Sequence, residues 1–378
     1  MRFLFLESYF GGSHRDFALG LKEYSSHGID LLTLPDQYWR WRMRGAALLF
    51  HGKVENLSAY DGIIVTDMIN LADFMAMAGS NPPPVMAYFH ENQLGYPDNP
   101  GVPPEGQYGF MNITTALCAD QVAFNSRFQM EQFLAGVESL LKTMPDLNPL
   151  WVGRAIREKS RVLYPGCRFS ENNFKSMGVK FRQGKKLPPL IIWNHRWEYD
   201  KRPERFFRAL GEIKQRGIPF RLALLGEGVS KTPKAFLAAQ EVFHKEIVVF
   251  GHVESKQEYF DWLSQGHVVV SCAIQENFGI SVVEAVGMGC IPLLPKRLAY
   301  PEIMPLEHHG AILYTNHGDM VEKLAGFLFA PGDHEHLRES LAHAMGKYAW
   351  HSRFKEYDVA LDCLAVMERV PVLENFER

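Results

Sequence analysis

The feature that most limits how this chain can fold is the regular alternation of short apolar segments with longer amphipathic ones through residues 190–347. The apolar segments are rich in Val, Ile and Leu, as are strands that are buried on both faces of a sheet. Predicted strands are 190–193, 220–225, 247–250, 267–271, 291–294 and 311–314, and predicted helices lie near 203–215, 234–243, 255–264, 280–288, 318–329 and 334–347. This alternation predicts a parallel sheet covered by helices on both faces.

The first half of the chain shows the same alternation less cleanly. Predicted strands there are 2–6, 61–66, 85–89, 121–125 and 161–164, and predicted helices are 16–24, 107–119 and 127–134, the last capped by Ser126. A polar stretch with Gly and Pro between Gly166 and Pro189 is typical of a domain boundary. We therefore predict an α/β protein of two doubly wound, Rossmann-like domains that face each other across a cleft, with the boundary between residues 1–170 and 171–354.

Net charge and cysteine spacing limit the partners and the cellular compartment that the protein can have. The net charge of −3 excludes a global basic field for nucleic acid, so any RNA contact must come from a local patch. The five cysteines are scattered without paired spacing, which indicates a reducing compartment. Glu7 interrupts the apolar start too early for a signal peptide, and no apolar run approaches the ~18–20 residues of a membrane span. We expect a cytoplasmic protein without stable membrane association.

The segment from Glu276 to Glu284 carries the strongest functional signal. It follows a predicted strand and places two carboxylates eight positions apart, with Gly279 at the start of a predicted helix. We expect Glu276 at the carboxyl end of the strand and Glu284 in the first helical turn, with free backbone N–H groups between them that favour an anion. That layout suits a nucleotide sugar. The alternative is a capping box from Ser281 to Glu284, which would make Glu284 purely structural.

Other predicted strands also end in candidate ligand-binding groups. Arg196 and Lys201 follow strand 190–193 and suit a diphosphate, although a solvated cationic loop is the alternative. The next two strands end in residues expected to bend around a nucleoside: Gly226, Glu227, Gly251 and His252. No phosphate-loop, H-E-x-x-H or G-x-S-x-G motif is present, so the sequence predicts neither a metal nor a bound cofactor.

Three features of the first half remain open on residue evidence alone. His90 follows strand 85–89, where open α/β sheets bind ligands, although a satisfied structural histidine is the alternative, and Gly11-Gly12 forms either a phosphate-facing loop or a tight turn. The third feature interleaves aromatic and basic side chains, which suits RNA stacking, a membrane surface, or a solvated arginine face whose tryptophans simply belong to the core. The candidate RNA contacts are Trp39, Arg40, Trp41, Arg42 and Arg44.

Taken in order, the motifs of the second half resemble the family-four retaining glycosyltransferases of the GT-B fold. They are Arg196…Lys201, Gly226-Glu227-Gly228, Gly251, Glu276-Asn277-Phe278-Gly279 to Glu284-Ala285, Gly289-x-x-Pro292 and Pro301-Glu302-Ile303. The resemblance implies that Arg196 and Lys201 hold the donor diphosphate, that Glu276 binds the donor sugar, and that Glu284 binds the ribose. It implies backbone contacts from Phe278, Gly279 and Ile280, a diphosphate-facing loop at Gly11 and Gly12, and a catalytic His90 near the transferred sugar. It also implies a C-terminal helix near 355–369, so that 355–378 completes the first domain.

The first half is similar to a narrower family. Glu-Ser-Tyr-Phe-Gly-Gly-Ser-His (7–14), Tyr38-Trp39-Arg40-Trp41-Arg42, Tyr88-Phe89-His90-Glu91-Asn92-Gln93-Leu94 and Phe124-Asn125-Ser126 resemble the tRNA-queuosine mannosyltransferases. This resemblance implies transfer of mannose from GDP-mannose to the cyclopentenediol of queuosine in the anticodon of tRNA-Asp, without a metal. A transferase acting on a lipid or small molecule, and a catalytically silent RNA- or nucleotide-binding protein, are the alternative hypotheses.

Overall fold

The computed structural model describes residues 1–95, 106–169, 187–226 and 232–367. The chain divides into two compact units. Unit 1 contains Met1–Gly166 and the segment that starts at Trp350, and unit 2 contains Cys167–Ala349.

Unit 1 is built on a six-stranded sheet in the order β2-β1-β3-β4-β5-β6, in which all neighbouring strands are parallel. The strands are β1 Arg2–Glu7, β2 Gly28–Thr33, β3 Gly62–Thr66, β4 Val85–Phe89, β5 Gln121–Phe124 and β6 Ser160–Val162. The helices up to β6 are α1 Gly12–Tyr24, α2 Trp39–His51, α3 Leu71–Met77, α4 Gly106–Cys118, α5 Arg127–Lys142 and α6 Trp151–Glu158. Because β1 lies between β2 and β3, the strand order reverses beside it.

Unit 2 is built on a second six-stranded parallel sheet, in the order β12-β11-β10-β7-β8-β9. The strands are β7 Leu190–Trp193, β8 Arg221–Leu225, β9 Ile247–Gly251, β10 Val268–Val270, β11 Ile291–Pro295 and β12 Leu313–Tyr314. The helices are α7 Pro203–Gln215, α8 Lys234–Val242, α9 Lys256–Gln265, α10 Ile280–Gly287, α11 Tyr300–Ile303, α12 His309–Ile312, α13 His317–Phe329 and α14 Glu335–Met345. The order reverses between β7 and β10.

The last described helix, α15 Trp350–Ala365, packs on unit 1. Successive residues of a strand point to opposite faces, so the sheet carries one core on each side. α15 covers the face that carries Phe3 and Phe5, and Tyr357 donates a hydrogen bond from its hydroxyl to the carbonyl oxygen of Tyr164 at 3.0 Å. This helix begins five residues before the predicted start at 355.

The fold class predicted from the sequence is the one observed, whereas β2, α2, α3, α6, α11 and α12 were not predicted. β2 lies at the edge of its sheet, and it includes Asp30, whose carboxylate accepts a hydrogen bond from Arg2 Nε at 2.9 Å. An edge strand with a polar residue does not give a continuous apolar run, which explains the omission. The predicted cap of α5 is confirmed, because the Ser126 hydroxyl accepts the N–H of Gln129 at 3.0 Å.

Within the described ranges, no helix combines the length and apolar character needed to cross a lipid bilayer.

Candidate functional site

One group of predicted residues lies at the carboxyl edge of the unit 2 sheet. β7 and β10 are parallel neighbours, and they mark the point at which the strand order reverses. Open α/β sheets bind ligands at such switch points. The loop after β7 carries Lys201 and the loop after β10 carries Glu276, so residues 75 positions apart meet at this edge.

Lys201 is buried and fully engaged by oxygen atoms. Its Nζ lies 3.3 Å from Glu276 Oε2 and 3.1 Å from Asp200 Oδ2, and it donates to the carbonyl oxygen of Gln275 at 2.9 Å. Burial opposes the charge, but Glu276 and Asp200 outweigh it and raise the pKa of Lys201. Nζ therefore donates hydrogen bonds to Gln275 and Glu276, and Asp200 adds an ion pair. The predicted diphosphate cation and the predicted sugar-binding carboxylate are therefore in direct contact.

The start of α10 forms the predicted anion site. Gly279 is the N-cap with φ of 91°, and a Cβ at this position would lie 3.2 Å from a ring carbon of Tyr300. Both observations favour glycine. α10 begins at Ile280, and no side chain in the described part of the chain caps it. Its first N–H groups thus lack a side-chain cap, and the helix dipole favours an anion at this end.

One expectation about α10 is wrong, and one alternative is excluded. Glu284 lies beyond the first turn, which contains no acidic residue, and Ser281 lies inside the helix rather than at its cap. The Ser281 hydroxyl is 3.3 Å from Nδ1 of His195. Because the left-handed backbone of Gly279 starts the helix two residues before Ser281, the capping-box alternative is excluded. Phe278 buries its ring against Tyr348, with centroids 5.1 Å apart, which leaves its backbone for any ligand contact.

Glu284 is buried and held by two residues of α9. Lys256 Nζ donates to Oε1 at 2.8 Å, and the Tyr259 hydroxyl donates to Oε2 at 3.0 Å. Asn194 supports Tyr259 from the loop after β7, with 3.0 Å between Nδ2 and the hydroxyl oxygen. A carboxylate offers about four lone-pair positions. Glu284 can therefore accept two further hydrogen bonds, as a ribose diol requires.

The other described residues that are predicted to bind the nucleotide-sugar donor follow strands of the same sheet. Arg196 is more than half exposed, with its guanidinium 3.5 Å from Glu198 Oε1. Gly226 has φ of 140°, and a Cβ there would lie 2.5 Å from the carbonyl oxygen of His195, while its N–H donates to Gly251 O at 3.1 Å. His252 follows as an exposed residue. Glu227 lies outside the described residues.

A second group of predicted residues lies at the carboxyl edge of the unit 1 sheet. Glu7, Asp67 and His90 stand at the ends of the neighbouring strands β1, β3 and β4, and all three are buried. Glu7 accepts hydrogen bonds from the backbone N–H of Tyr9 at 2.8 Å and from Thr66 Oγ1 at 3.2 Å. Its other carboxylate oxygen is 3.2 Å from Nδ1 of His14, on the first turn of α1.

The two predicted glycines open α1. Gly11 is the N-cap, and a Cβ on it would overlap the carboxylate of Asp36. Gly12 has φ of 48° and faces open space. Each position therefore favours glycine for a structural reason, which is lack of space for a Cβ at Gly11 and a positive φ at Gly12. Their predicted contact with a diphosphate stays a prediction.

The two histidines at the unit 1 edge differ in the direction of their pKa shifts. Burial would lower the pKa of His14, but the adjacent Glu7 carboxylate outweighs burial and raises this pKa to about 9. Burial, and then the charge on His14, hold the pKa of His90 well below its ordinary value. Burial also raises the pKa of the Asp67 carboxyl, to about 7. The unit 1 edge therefore places a charged imidazolium beside a neutral imidazole, with ring centroids 4.1 Å apart.

Glu7, His14 and His90 also place one ligand atom each within 4.8 Å of one another, which is a spacing that suits a metal ion. A protonated imidazole has no lone pair to offer a metal. Because Glu7 raises the pKa of His14 to about 9, a metal would have to displace the proton on His14, which opposes metal binding at neutral pH. Metal independence stays a prediction.

The aromatic and basic segment forms α2, and the structure divides the five candidate RNA contacts. Arg42 is buried and donates from Nε to the carbonyl oxygen of Pro35 at 3.1 Å, so its assignment as an RNA contact is wrong. Trp39 packs on Tyr108 with ring centroids 5.2 Å apart, and the Arg40 guanidinium lies 4.5 Å from the centroid of a Trp39 ring. Trp41 is 52% exposed.

The remaining candidate is Arg44, an exposed residue whose guanidinium lies over the ring of Tyr108. It lies one turn after Arg40, so the two guanidinium groups can serve a common surface with Trp41. Arg40, Trp41 and Arg44 are thus the exposed candidates, and Trp39 is partly buried.

Sequence reasoning missed six residues that complete the two groups: Glu7, His14, Asp67, Asp200, Lys256 and Tyr259. Asp200 directly precedes Lys201 and could have been found from that adjacency. Glu7 and His14 lie seven positions apart in one quoted motif, whereas the other three contact partners from distant chain segments.

Comparison with known proteins agrees with this architecture. The family model for the N-terminal region of tRNA-queuosine alpha-mannosyltransferase matches residues 2–167, and that for glycosyl transferases group 1 matches residues 179–357. Two solved structures share the fold, each over 96% of this chain. Sucrose-phosphate synthase from Thermosynechococcus elongatus has 13% identity and a TM-score of 0.71 over 99% of its chain. HepE from Anabaena, in complex with UDP, has 14% identity and a TM-score of 0.66 over its full length.

The GT-B fold class predicted from the motifs is confirmed by these likenesses. A Drosophila melanogaster tRNA-queuosine alpha-mannosyltransferase is 34% identical over 337 residues, which cover 87% of each chain. The protein is a glycosyltransferase, and the chain belongs to the tRNA-queuosine alpha-mannosyltransferase family.

Proposed function

We propose that this protein transfers mannose from GDP-mannose to the cyclopentenediol of queuosine in the anticodon of tRNA-Asp. The family and the activity named for the Drosophila relative support the reaction class and the acceptor. The observation that carries the donor half is the contact between Lys201 and Glu276 beside the uncapped start of α10. That edge offers a cation and open N–H groups for a diphosphate, and a carboxylate for a sugar hydroxyl.

Each group at the unit 2 edge has a distinct task in this reaction. Lys201 and the first N–H groups of α10 stabilise the negative charge that develops on the departing diphosphate, and Arg196 supplies a second, more exposed cation. Glu276 accepts a hydrogen bond from the sugar and fixes its position. Glu284 accepts the ribose hydroxyls while Lys256 and Tyr259 keep its carboxylate in place. His90 contacts the transferred sugar from unit 1.

The acceptor contact is proposed for the exposed face of α2. Trp41 offers a ring on which a base can stack, and Arg40 and Arg44 are suited to phosphate contacts. The chain as a whole is slightly negative, so this local pair of cations has to supply the attraction.

A transfer assay tests the proposal. Purified protein is incubated with GDP-mannose and bulk tRNA that contains queuosine, and the digested nucleosides are analysed by mass. We expect a hexose added to queuosine, lost in Glu276→Gln and retained in the matched control Glu307→Gln, an exposed carboxylate of the same unit. Binding of GDP-mannose without product would move the search to another acceptor, and binding of UDP-sugars alone would refute the donor.

The proposed reaction needs no metal and takes place in the cytoplasm. None of the five cysteines, all within the described residues, forms a disulfide, which is compatible with a reducing compartment. We expect the transfer rate to be unchanged by a chelator such as EDTA. A loss of activity that added Mg²⁺ or Mn²⁺ restores would overturn the metal-free assignment.

A further inference from the structure

The unit 1 edge contains buried ionisable side chains to which the proposed reaction assigns no task, and they surround His90. We propose that Glu7 and His14 are positioning residues that keep His90 as a neutral imidazole while the enzyme works. This inference rests on the proposed contact between His90 and the transferred sugar. It adds the reason why a histidine can make that contact, and it gives a role to two residues that do not touch the sugar themselves.

The carboxylate of Glu7 is held in place by hydrogen bonds from its neighbours. Its carboxylate is fully buried, and one oxygen accepts hydrogen bonds from Tyr9 N and Thr66 Oγ1. The second oxygen faces Nδ1 of His14 at 3.2 Å. A buried carboxylate needs a compensating charge, and His14 is the nearest group that can supply one. Glu7 therefore holds the proton on His14.

His14 in turn acts on His90. The two rings lie 4.1 Å apart between centroids with a tilt of 37°, so a charge on one ring strongly opposes a charge on the other. The other rings around His90 are neutral: Phe17 lies edge-on at 4.9 Å and Tyr88 at 4.8 Å. The cation that disfavours protonation of His90 is thus built into α1, on the same side as the apolar rings.

The carboxylates near His90 do not cancel this effect. Asp67, after β3, receives the backbone N–H of His90 at 2.8 Å and that of Glu91 at 3.4 Å, so it binds the main chain of this loop. Asn125 Nδ2 donates to the carbonyl oxygen of His90 at 2.8 Å from the other side. The charged groups facing His90 are His14 from α1, Glu7 from β1, Asp67 after β3 and Glu91 after β4. The main chain is fixed, and the ring stays neutral.

The neutral form matters for the chemistry. A neutral imidazole has one donor and one acceptor nitrogen, whereas an imidazolium can only donate. A neutral His90 can therefore accept a hydrogen bond from a sugar hydroxyl, which a protonated one cannot.

Histidine NMR titration of the full-length protein tests the inference without any substrate. Signals are assigned by their loss in His90→Asn and His14→Gln. In the wild type we expect His90 to stay neutral between about pH 5 and 8, and His14 to stay charged across the same range. In Glu7→Gln, His14 should begin to titrate within that range, and in His14→Gln the pKa of His90 should rise. Glu212→Gln, which removes the carboxylate partner of His317 in unit 2, is the matched control and should move neither signal.

The two variants give independent answers. A His90 that titrates normally in the wild type overturns the inference, as does a His14 that keeps its charge in Glu7→Gln. If His14→Gln does not fold, Glu7→Gln decides alone. The pH profile of mannose transfer supplies the functional readout: Glu7→Gln and His14→Gln should lose activity mainly on the acid side, relative to wild type. If both histidines titrate as we expect but neither the wild type nor any variant transfers mannose, the result counts against the proposed function instead.

Discussion

Replacing Lys201 with Met should separate its effect on stability from its effect on transfer. Lys201 faces Asp200 at 3.1 Å and Glu276 at 3.3 Å. With an effective dielectric constant of about 20, each attraction contributes about 5 kcal/mol. Desolvation of the three ions opposes this gain by several kcal/mol per ion, so the net stabilisation is small. Removing the ammonium alone leaves two carboxylates without their cation, which costs about 3–5 kcal/mol.

The double variant Lys201→Met with Asp200→Asn removes the more deeply buried of these carboxylate charges. We expect it to recover most of the lost stability while transfer stays about 100- to 1,000-fold below wild type, the loss typical when one group that stabilises developing charge is removed. Lys214→Met is the matched control, because Lys214 pairs with Glu246 at 3.0 Å at a partly exposed site and should change stability by less than about 1 kcal/mol.

Urea unfolding followed by circular dichroism measures stability, and mannose incorporation into tRNA measures transfer. If Lys201→Met is as stable as wild type, the predicted free-energy cost of leaving Asp200 and Glu276 without a cation is wrong. If the double variant regains both stability and transfer, Lys201 acts only through folding, and its assignment to the diphosphate fails.

Three further outcomes follow from the structure. Tyr259→Phe removes a hydrogen bond to the charged Glu284, so GDP should bind roughly tenfold more weakly by calorimetry, and unchanged affinity would argue against the ribose assignment. Trp41→Ala combined with Arg44→Glu should raise the KM for tRNA and lower its salt dependence while GDP-mannose binds normally; equal tRNA affinity would refute the α2 contact. His14 has a folded pKa of about 9 against an ordinary value of 6.5, so its stabilising effect is complete below the lower value and lost as pH rises through the higher one. The stability advantage of wild type over His14→Gln should therefore fall by roughly 3 kcal/mol across that interval in urea unfolding, and a pH-independent difference would contradict it.

The fold could be predicted from the sequence because parallel strands buried on both faces appear as continuous apolar runs, as at Val85–Phe89 and Leu190–Trp193. It also located the segment from Glu276 to Glu284, since strand, glycine and helix follow one another directly. It could not give the partners of Glu284, because Lys256 and Tyr259 reach it from a separate helix across 28 and 25 positions. Nor could it bring Glu7 and His14 to His90, since only the order of β1, β3 and β4 in the sheet brings their chain segments together.

The contact between Lys201 and Glu276 also predicts how donor binding is coupled to sugar binding. The ammonium of Lys201 is buried against Gln275, Glu276 and Asp200, so we expect a diphosphate to reach it by replacing one of these partners. The side chain of Asp200 is 1% exposed and that of Glu276 is 16% exposed, which makes Glu276 the partner that can leave. Its release would free the carboxylate for a sugar hydroxyl as the diphosphate takes its place. Glu276→Gln removes this competitor, so we expect GDP to bind this variant at least as tightly as wild type although transfer is lost. Calorimetry with GDP checks this, and weaker binding in Glu276→Gln would show that Glu276 supports the diphosphate site instead of competing for it.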